Sequence, residues 1–237
     1  MSEITIAVNH QSKPETRFVG TNKTPIIIYD DFATDTTALI GYACDDGDFV
    51  RRDNSYYPGI RAELPERYVI DVLQSIYQHI CDVYDIPLHL QLEPQELYYS
   101  LITNAEADLS LVQRIPHFDT SRCYYFAVLH YLNEKPHGDT GLFRHIPTAL
   151  EGINDDNVEG YLTAAQHFID NNGEPEQGYI SSSTEHYELY EKIEYKPNRL
   201  VIYPGHLLHS TLVCPQTDID ENPDTGRLTA NIFIEFK

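Results

Sequence analysis

The hexapeptide IPHFDT sets His117 and Asp119 two residues apart. On an extended strand successive side chains alternate, so this spacing puts both on one face and turns Phe118 away. In LVIYPGHLLHSTLV, Tyr203, Pro204 and Gly205 read as a turn, after which an apolar strand resumes and carries His209, 92 residues beyond His117. Two histidines and one carboxylate on one face of an octahedron leave three positions open, as a non-haem iron(II) centre needs to admit a cosubstrate and dioxygen. A structural zinc would ask for a closed tetrahedral shell. The HxD pair alone is weak evidence in a chain with 11 His and 37 acidic residues, where a surface-loop pair fits it better. His206, three residues before His209, should face the opposite way on a strand, so His209 is the expected ligand and His130 and His145 are expected to be packed or rim residues.

A second signal lies in GRLTANIFIEF. Strand alternation places Arg227, Thr229 and Asn231 on one face and Leu228, Ala230, Ile232 and Ile234 on the other. A guanidinium inside a barrel is costly unless a carboxylate pairs with it, and a dicarboxylate cosubstrate would supply that partner. The alternative partner is an acid of the DIDENPD loop just before it. That loop also stretches the interval from His209 to Arg227 to 18 residues.

These residues need elements to hold them. Residues 1–65 show two short strand-like runs, ITIAV and PIIIYDDF, then an acidic patch and a turn-rich stretch. Between Glu66 and Tyr84, apolar residues recur every three or four positions, which predicts an amphipathic helix packed on a sheet. From Leu92 onwards, eight strand-like runs alternate with turn residues: LYYSLIT, QRIPHFDT, CYYFAVLHYLN, TGLFRHI, YELYEKIEY, NRLVIYP, LLHSTLVC and GRLTANIFIEF. Eight strands suit a jelly roll, two facing sheets with a ligand-sized mouth. The expected class is therefore mainly β (α+β), with an N-terminal elaboration at 1–91 packed on a barrel at 92–237. An insertion at 147–178, with a helix over 160–170, should lie near the mouth.

Composition narrows the function. Acidic residues outnumber Lys and Arg 37 to 16, a formal net charge of −21, so nucleic acid and anionic membrane surfaces are excluded as partners. The 18 Tyr and 9 Phe favour pleated strands. Cys44, Cys81, Cys123 and Cys214 are scattered without a CxxC pair and read as reduced, mostly buried thiols. The N-terminus lacks the basic start and apolar stretch of a signal peptide, and no run of apolar residues is long enough to span a bilayer. A cytoplasmic protein acting on a small-molecule substrate is expected, with a homodimer allowed.

HFD, a histidine after a PG turn, and RLT on the last strand together resemble the iron(II)/2-oxoglutarate-dependent dioxygenase superfamily. CYYFAVLHYLN followed by GDTGLFRH resembles its prolyl-hydroxylase-like members, over roughly Leu92 to Lys237. YYPGIRAELP, QRIPHFDT, LHYLN, FRH and NRLVIYPGHLLHS resemble an uncharacterised bacterial branch sometimes associated with tryptophan halogenases. The resemblance implies a double-stranded β-helix with His117, Asp119 and His209 on Fe(II). It implies Arg227 on the distal carboxylate of 2-oxoglutarate with Thr229 beside it, Tyr131 of YLN on the same carboxylate, and Tyr99 as a further candidate on the preceding strand. It implies hydroxylation or desaturation of a small molecule such as an amino acid or natural-product intermediate. With Asp119 present as a ligand, direct halide binding to iron is not expected. Two other classes fit the residues: a non-catalytic jelly-roll protein or degenerate oxygenase holding a metal or dicarboxylate, and a cupin-type metalloenzyme that uses no 2-oxoacid. Tyr56, Tyr57, Arg61 and Arg144 are further polar residues open to a substrate or surface role.

Overall fold

The β-branched and tyrosine-rich runs pair into two antiparallel sheets in the computed structural model, which describes residues 4–51 and 56–237. In chain order the elements are β1 (Glu15–Val19), β2 (Thr24–Tyr29), α1 (Thr37–Asp45), β3 (Gly59–Glu63), α2 (Glu66–Tyr84), β4 (Leu92–Ile102) and β5 (Tyr125–Tyr131). There follow β6 (Thr140–His145), α3 (Val158–Asn172), β7 (Tyr187–Ile193), β8 (Leu200–Pro204), β9 (His209–Thr211), α4 (Pro215–Asp218) and β10 (Thr229–Phe236). The large sheet runs β1-β2-β8-β5-β10-β4-β3 and the small one β7-β6-β9. Facing antiparallel sheets with helices outside make a jelly-roll-like sandwich.

Three apolar cores follow from the alternation. One side of the large sheet, through Leu228, Ala230, Ile232 and Ile234, meets Tyr68, Val69, Val72, Ile76 and Ile80 of α2. Each buried Val, Leu or Ile side chain among them contributes on the order of 1.5–3 kcal/mol. The inner core, with Ala127, Leu129, Tyr131, Leu142, Val201 and Tyr203, fills the space between the sheets. The third joins the small sheet to α3 through Phe143, Tyr161 and Tyr187. The helix of the 147–178 segment thus shields the outer side of the small sheet.

Several expectations are revised. The run QRIPHFDT is not a strand: two short 3-10 turns precede it, and only His117 forms an isolated bridge. Pro116 removes an N–H donor just before that bridge, so no ladder extends from it. The region from Leu92 therefore holds seven strands. β1 and β2 extend one edge of the large sheet while β3 caps the other through β4, so the N-terminal region builds the sheet as well as packing upon it. The cysteines are free, but Cys44, Cys123 and Cys214 are exposed and Cys81 half-buried. Cys123 and Cys214 stand in connections, and Cys44 on the side of α1 away from its buried Leu39 and Ala43. Among the described residues no helix is long and apolar enough to cross a membrane.

Candidate metal centre and cavity

His117 and His209 face each other through a two-bond antiparallel bridge, His117 N–H to His209 O at 2.9 Å and His209 N–H to His117 O at 2.8 Å. Two residues on, Asp119 N–H donates to Gly205 O at 2.7 Å, and Gly205 N–H donates to Tyr125 O of β5 at 2.9 Å. This pairing replaces the expected strand and preserves its alternation. His117 and Asp119 share a side while Phe118 turns into the third core and meets Tyr161 edge-on.

The three side chains converge. Asp119 Oδ1 lies 3.8 Å from Nε2 of both His117 and His209, the imidazole centroids are 4.4 Å apart, and one ligand atom from each residue falls within 4.8 Å of the others. His209 Nδ1 donates to Leu207 O at 2.8 Å, which leaves the Nε2 lone pair pointing inward. Asp119 Oδ2 is buried without a hydrogen-bond partner among the described residues. Burial first, then the neighbouring His209 and Arg61, holds the His117 imidazole down to about 3, although half its side chain remains accessible beside the cavity. Burial raises the Asp119 carboxyl. A neutral imidazole and a carboxylate short of partners are what a divalent cation relieves. Ligands about 2.1 Å from a metal stand roughly 3.0 Å apart in cis positions. Closing Asp119 onto either histidine from 3.8 Å therefore takes less than 1 Å, and closing the whole set from within 4.8 Å takes less than about 2 Å of side-chain movement. With His209 fixed by Leu207, that movement falls to His117 and Asp119. The residues fit a cation.

The centre opens into a cavity of about 760 Å³ between the sheets, lined in part by Arg227, Thr229, Asn231 and Phe233 from the last strand region. Arg227 is almost wholly buried; its Nε donates to Gly138 O at 2.8 Å and its Nη2 has no hydrogen-bond partner among the described residues. Its guanidinium carbon stands 5.4 Å and 5.6 Å from the ring centroids of Tyr131 and Tyr195. Among the described residues it forms no ion pair with the acidic loop. Asp218 of that loop is instead occupied by Gly138 N–H at 3.0 Å, Cys214 N–H at 2.7 Å, His137 Nδ1 at 3.0 Å and the Thr217 hydroxyl at 3.0 Å. The long insertion thereby holds the turn whose carbonyl positions Arg227.

The other expected residues distribute as follows. Thr229 lines the cavity and its hydroxyl accepts from Asn231 Nδ2 at 3.1 Å. Tyr131 is fully buried behind the wall and shares a 2.8 Å hydrogen bond with Thr140, which does reach the cavity. Tyr99 is not brought to the cavity: it faces the α2 core and donates to Leu39 O at 3.0 Å. Its neighbour Tyr98, opposite Asn231 in the β4–β10 register, lines the cavity in its place. Two adjacent tyrosines on a strand must face opposite ways, and LYYS gives no sign of which faces inward. His206 lies outside the centre, while His130 is buried between the Tyr68 hydroxyl and Asn198 Oδ1 at 3.0 Å and 3.1 Å. His145 packs against His186, Nε2 to Nε2 at 2.9 Å. Arg144 is engaged by Glu151, Glu188 and Thr21 and does not line the cavity. Tyr56, Tyr57 and Arg61 do line it, as do Tyr161, Leu162 and Tyr179 from the 147–178 segment and its C-terminal flank.

The fold resembles HygX from Streptomyces hygroscopicus, a structure with nickel and 2-oxoglutarate bound, at 13% identity over 90% of this chain and 84% of that one, with a TM-score of 0.46. It also resembles AviO1 from Streptomyces viridochromogenes Tue57, at 8% identity over 99% of this chain and 91% of that one, with a TM-score of 0.42. No curated protein sequence matches the chain. Residues 10–234 match DUF6445, and the chain therefore belongs to this family of unknown function.

Proposed function

We propose that the protein is a non-haem iron(II)- and 2-oxoglutarate-dependent oxygenase of the double-stranded β-helix type, acting on a small molecule. The observation that carries this reading is a three-ligand face and a buried arginine whose Nη2 has no hydrogen-bond partner among the described residues, both opening into one cavity. His117, Asp119 and His209 would hold the metal as a three-ligand set, which leaves room on it for cosubstrate and dioxygen. Arg227, held at Nε by Gly138, would present its remaining N–H groups to the distal carboxylate of 2-oxoglutarate, with Thr229 alongside. Tyr131 would act one step back, orienting the Thr140 hydroxyl and flanking the guanidinium. With dioxygen as the oxidant, bound iron would couple the oxidative decarboxylation of 2-oxoglutarate to succinate and CO₂ with attack on an unactivated C–H bond. The protein contributes orientation and the exclusion of water, the latter through tyrosine-rich walls that include Tyr98, Tyr125 and Tyr203. As a third protein ligand, Asp119 would leave no place for a halide on the metal, which favours hydroxylation or desaturation over halogenation.

Succinate formation tests this directly, because slow 2-oxoglutarate turnover needs no knowledge of the prime substrate. Wild-type protein loaded anaerobically with Fe(II) and 2-oxoglutarate, then exposed to O₂, should release succinate measurable by NMR. His209→Ala should abolish it and Arg227→Gln should raise the 2-oxoglutarate requirement. Tight 2-oxoglutarate binding with no succinate under any condition would favour the non-catalytic alternative.

A further inference from the structure

Arg61 stands on β3 where alternation turns Ile60 and Ala62 into the α2 core and leaves Arg61 facing the cavity. Its guanidinium carbon lies 3.9 Å from the centroid of the Tyr98 ring and 4.7 Å from that of Tyr57, so two aromatic faces pin it against the wall. Its Nε is buried with no hydrogen-bond partner among the described residues. The acid nearest to it, Glu96, approaches only to 3.9 Å, beyond hydrogen-bond reach, and half of the Glu96 side chain is solvent-exposed. A rigid, weakly neutralised guanidinium in a cleft is built to receive a planar anion. The positive charge also bears on His117 and Asp119, which places it within electrostatic range of the metal centre, and both it and Arg227 bear on the Tyr57 hydroxyl. Among the described residues the cavity thus holds two arginines, one more than a single dicarboxylate cosubstrate requires.

We propose that Arg61, clamped by Tyr57 and Tyr98, binds a carboxylate of the prime substrate, so that the enzyme acts on small organic acids whose apolar part lies along the tyrosine-rich wall. This rests on the oxygenase reading for the word substrate, but the anion site itself can be tested independently. Phenylacetate, 3-phenylpropanoate and 4-phenylbutyrate, each paired with its primary carboxamide, serve as probes. Binding to Mn(II)-loaded protein is followed by saturation-transfer NMR, with 2-oxoglutarate affinity measured in the same samples. At least one of the acids should bind about 10- to 100-fold more tightly than its carboxamide. That preference should persist in Arg227→Gln, vanish in Arg61→Gln and partly return in Arg61→Lys, with all three variants folded and still able to bind Mn(II). Equal binding of acids and amides to wild type, absent binding of every acid, or a preference that survives Arg61→Gln overturns the proposal. Failure of wild type to bind 2-oxoglutarate would count against the oxygenase reading alone and leave the acid–amide comparison intact.

Discussion

Replacing Gly205 with alanine probes whether the backbone beneath the metal ligands sets metal affinity. A Cβ at this position would stand 2.7 Å from Cδ1 of Tyr125, 3.1 Å from Asp119 Oδ2 and 3.3 Å from Asp119 Cβ. Carbon–carbon contact is comfortable at about 3.5–4.0 Å, so the overlap with the tyrosine ring is at least roughly 0.8 Å. The backbone cannot withdraw freely, because Gly205 both accepts from Asp119 N–H and donates to Tyr125 O. Tyr125 is itself buried and packed near Phe233, so part of the strain must fall on the Asp119 carboxylate. Overpacking of this kind costs about 1–3 kcal/mol of stability. Displacement of a ligand by its supporting shell costs about 10- to 100-fold in metal affinity. Mn(II) titration followed by the EPR signal of the free ion gives the affinity, and thermal unfolding in EDTA gives the stability of the metal-free fold. A folded Gly205→Ala protein that binds Mn(II) within twofold of wild type would refute the claim that this close approach positions Asp119.

Other perturbations separate the parts of the site. Asp218→Asn removes one charged acceptor from the turn that carries Gly138; it should cost about 1–3 kcal/mol of stability and raise the KM for 2-oxoglutarate more than it weakens metal binding. An unchanged KM would mean that the insertion does not support Arg227. Tyr99→Phe should lower the melting temperature through loss of its bond to Leu39 O while leaving 2-oxoglutarate affinity unaltered, a split measurable by calorimetry and titration. Burial, chiefly, depresses His130 to about 4, so the unfolded chain takes up a proton near pH 6.5 that the folded chain refuses. The associated stability is present above about pH 6.5 and is lost as the pH falls towards 4, on the order of 1–2 kcal/mol at pH 5. Urea unfolding at pH 7 and pH 5 should show that loss, and His130→Gln should shrink it.

Much of the site is legible in the residues because period-two alternation survives even where regular structure does not. His117 and Asp119 are not on a strand, yet the bridge to His209 and the bond to Gly205 restore the same geometry. The polar and apolar faces of the last strand separate as the alternation dictates, since one borders the cavity and the other the α2 core. α2 spans Glu66–Tyr84 as its three-to-four spacing predicts, and α3 overlaps the expected 160–170 helix with an extra turn shared between its ends. What could not be read depends on long-range register. The choice between Tyr98 and Tyr99 hangs on pairing with Asn231 and Ala230, more than 130 residues away. The cavity role of Arg61 likewise requires β3 to pair with β4, which no local pattern encodes. The support of Arg227 by Asp218 was hidden for the opposite reason: in sequence the acidic loop reads as a competitor for the guanidinium, whereas folding buries that carboxylate among backbone N–H groups and His137.

The most direct test of the account is an anaerobic titration of the metal-free protein with Fe(II) and 2-oxoglutarate, monitored by visible absorption. Chelation of iron by the 2-oxoacid within the site should give a weak charge-transfer band that saturates at one equivalent of metal and disappears in His209→Ala. A folded, metal-reconstituted wild-type protein that shows no such band, or a band unaffected by His209→Ala, would contradict the assignment of His117, Asp119 and His209 as the iron face of a 2-oxoglutarate-dependent oxygenase.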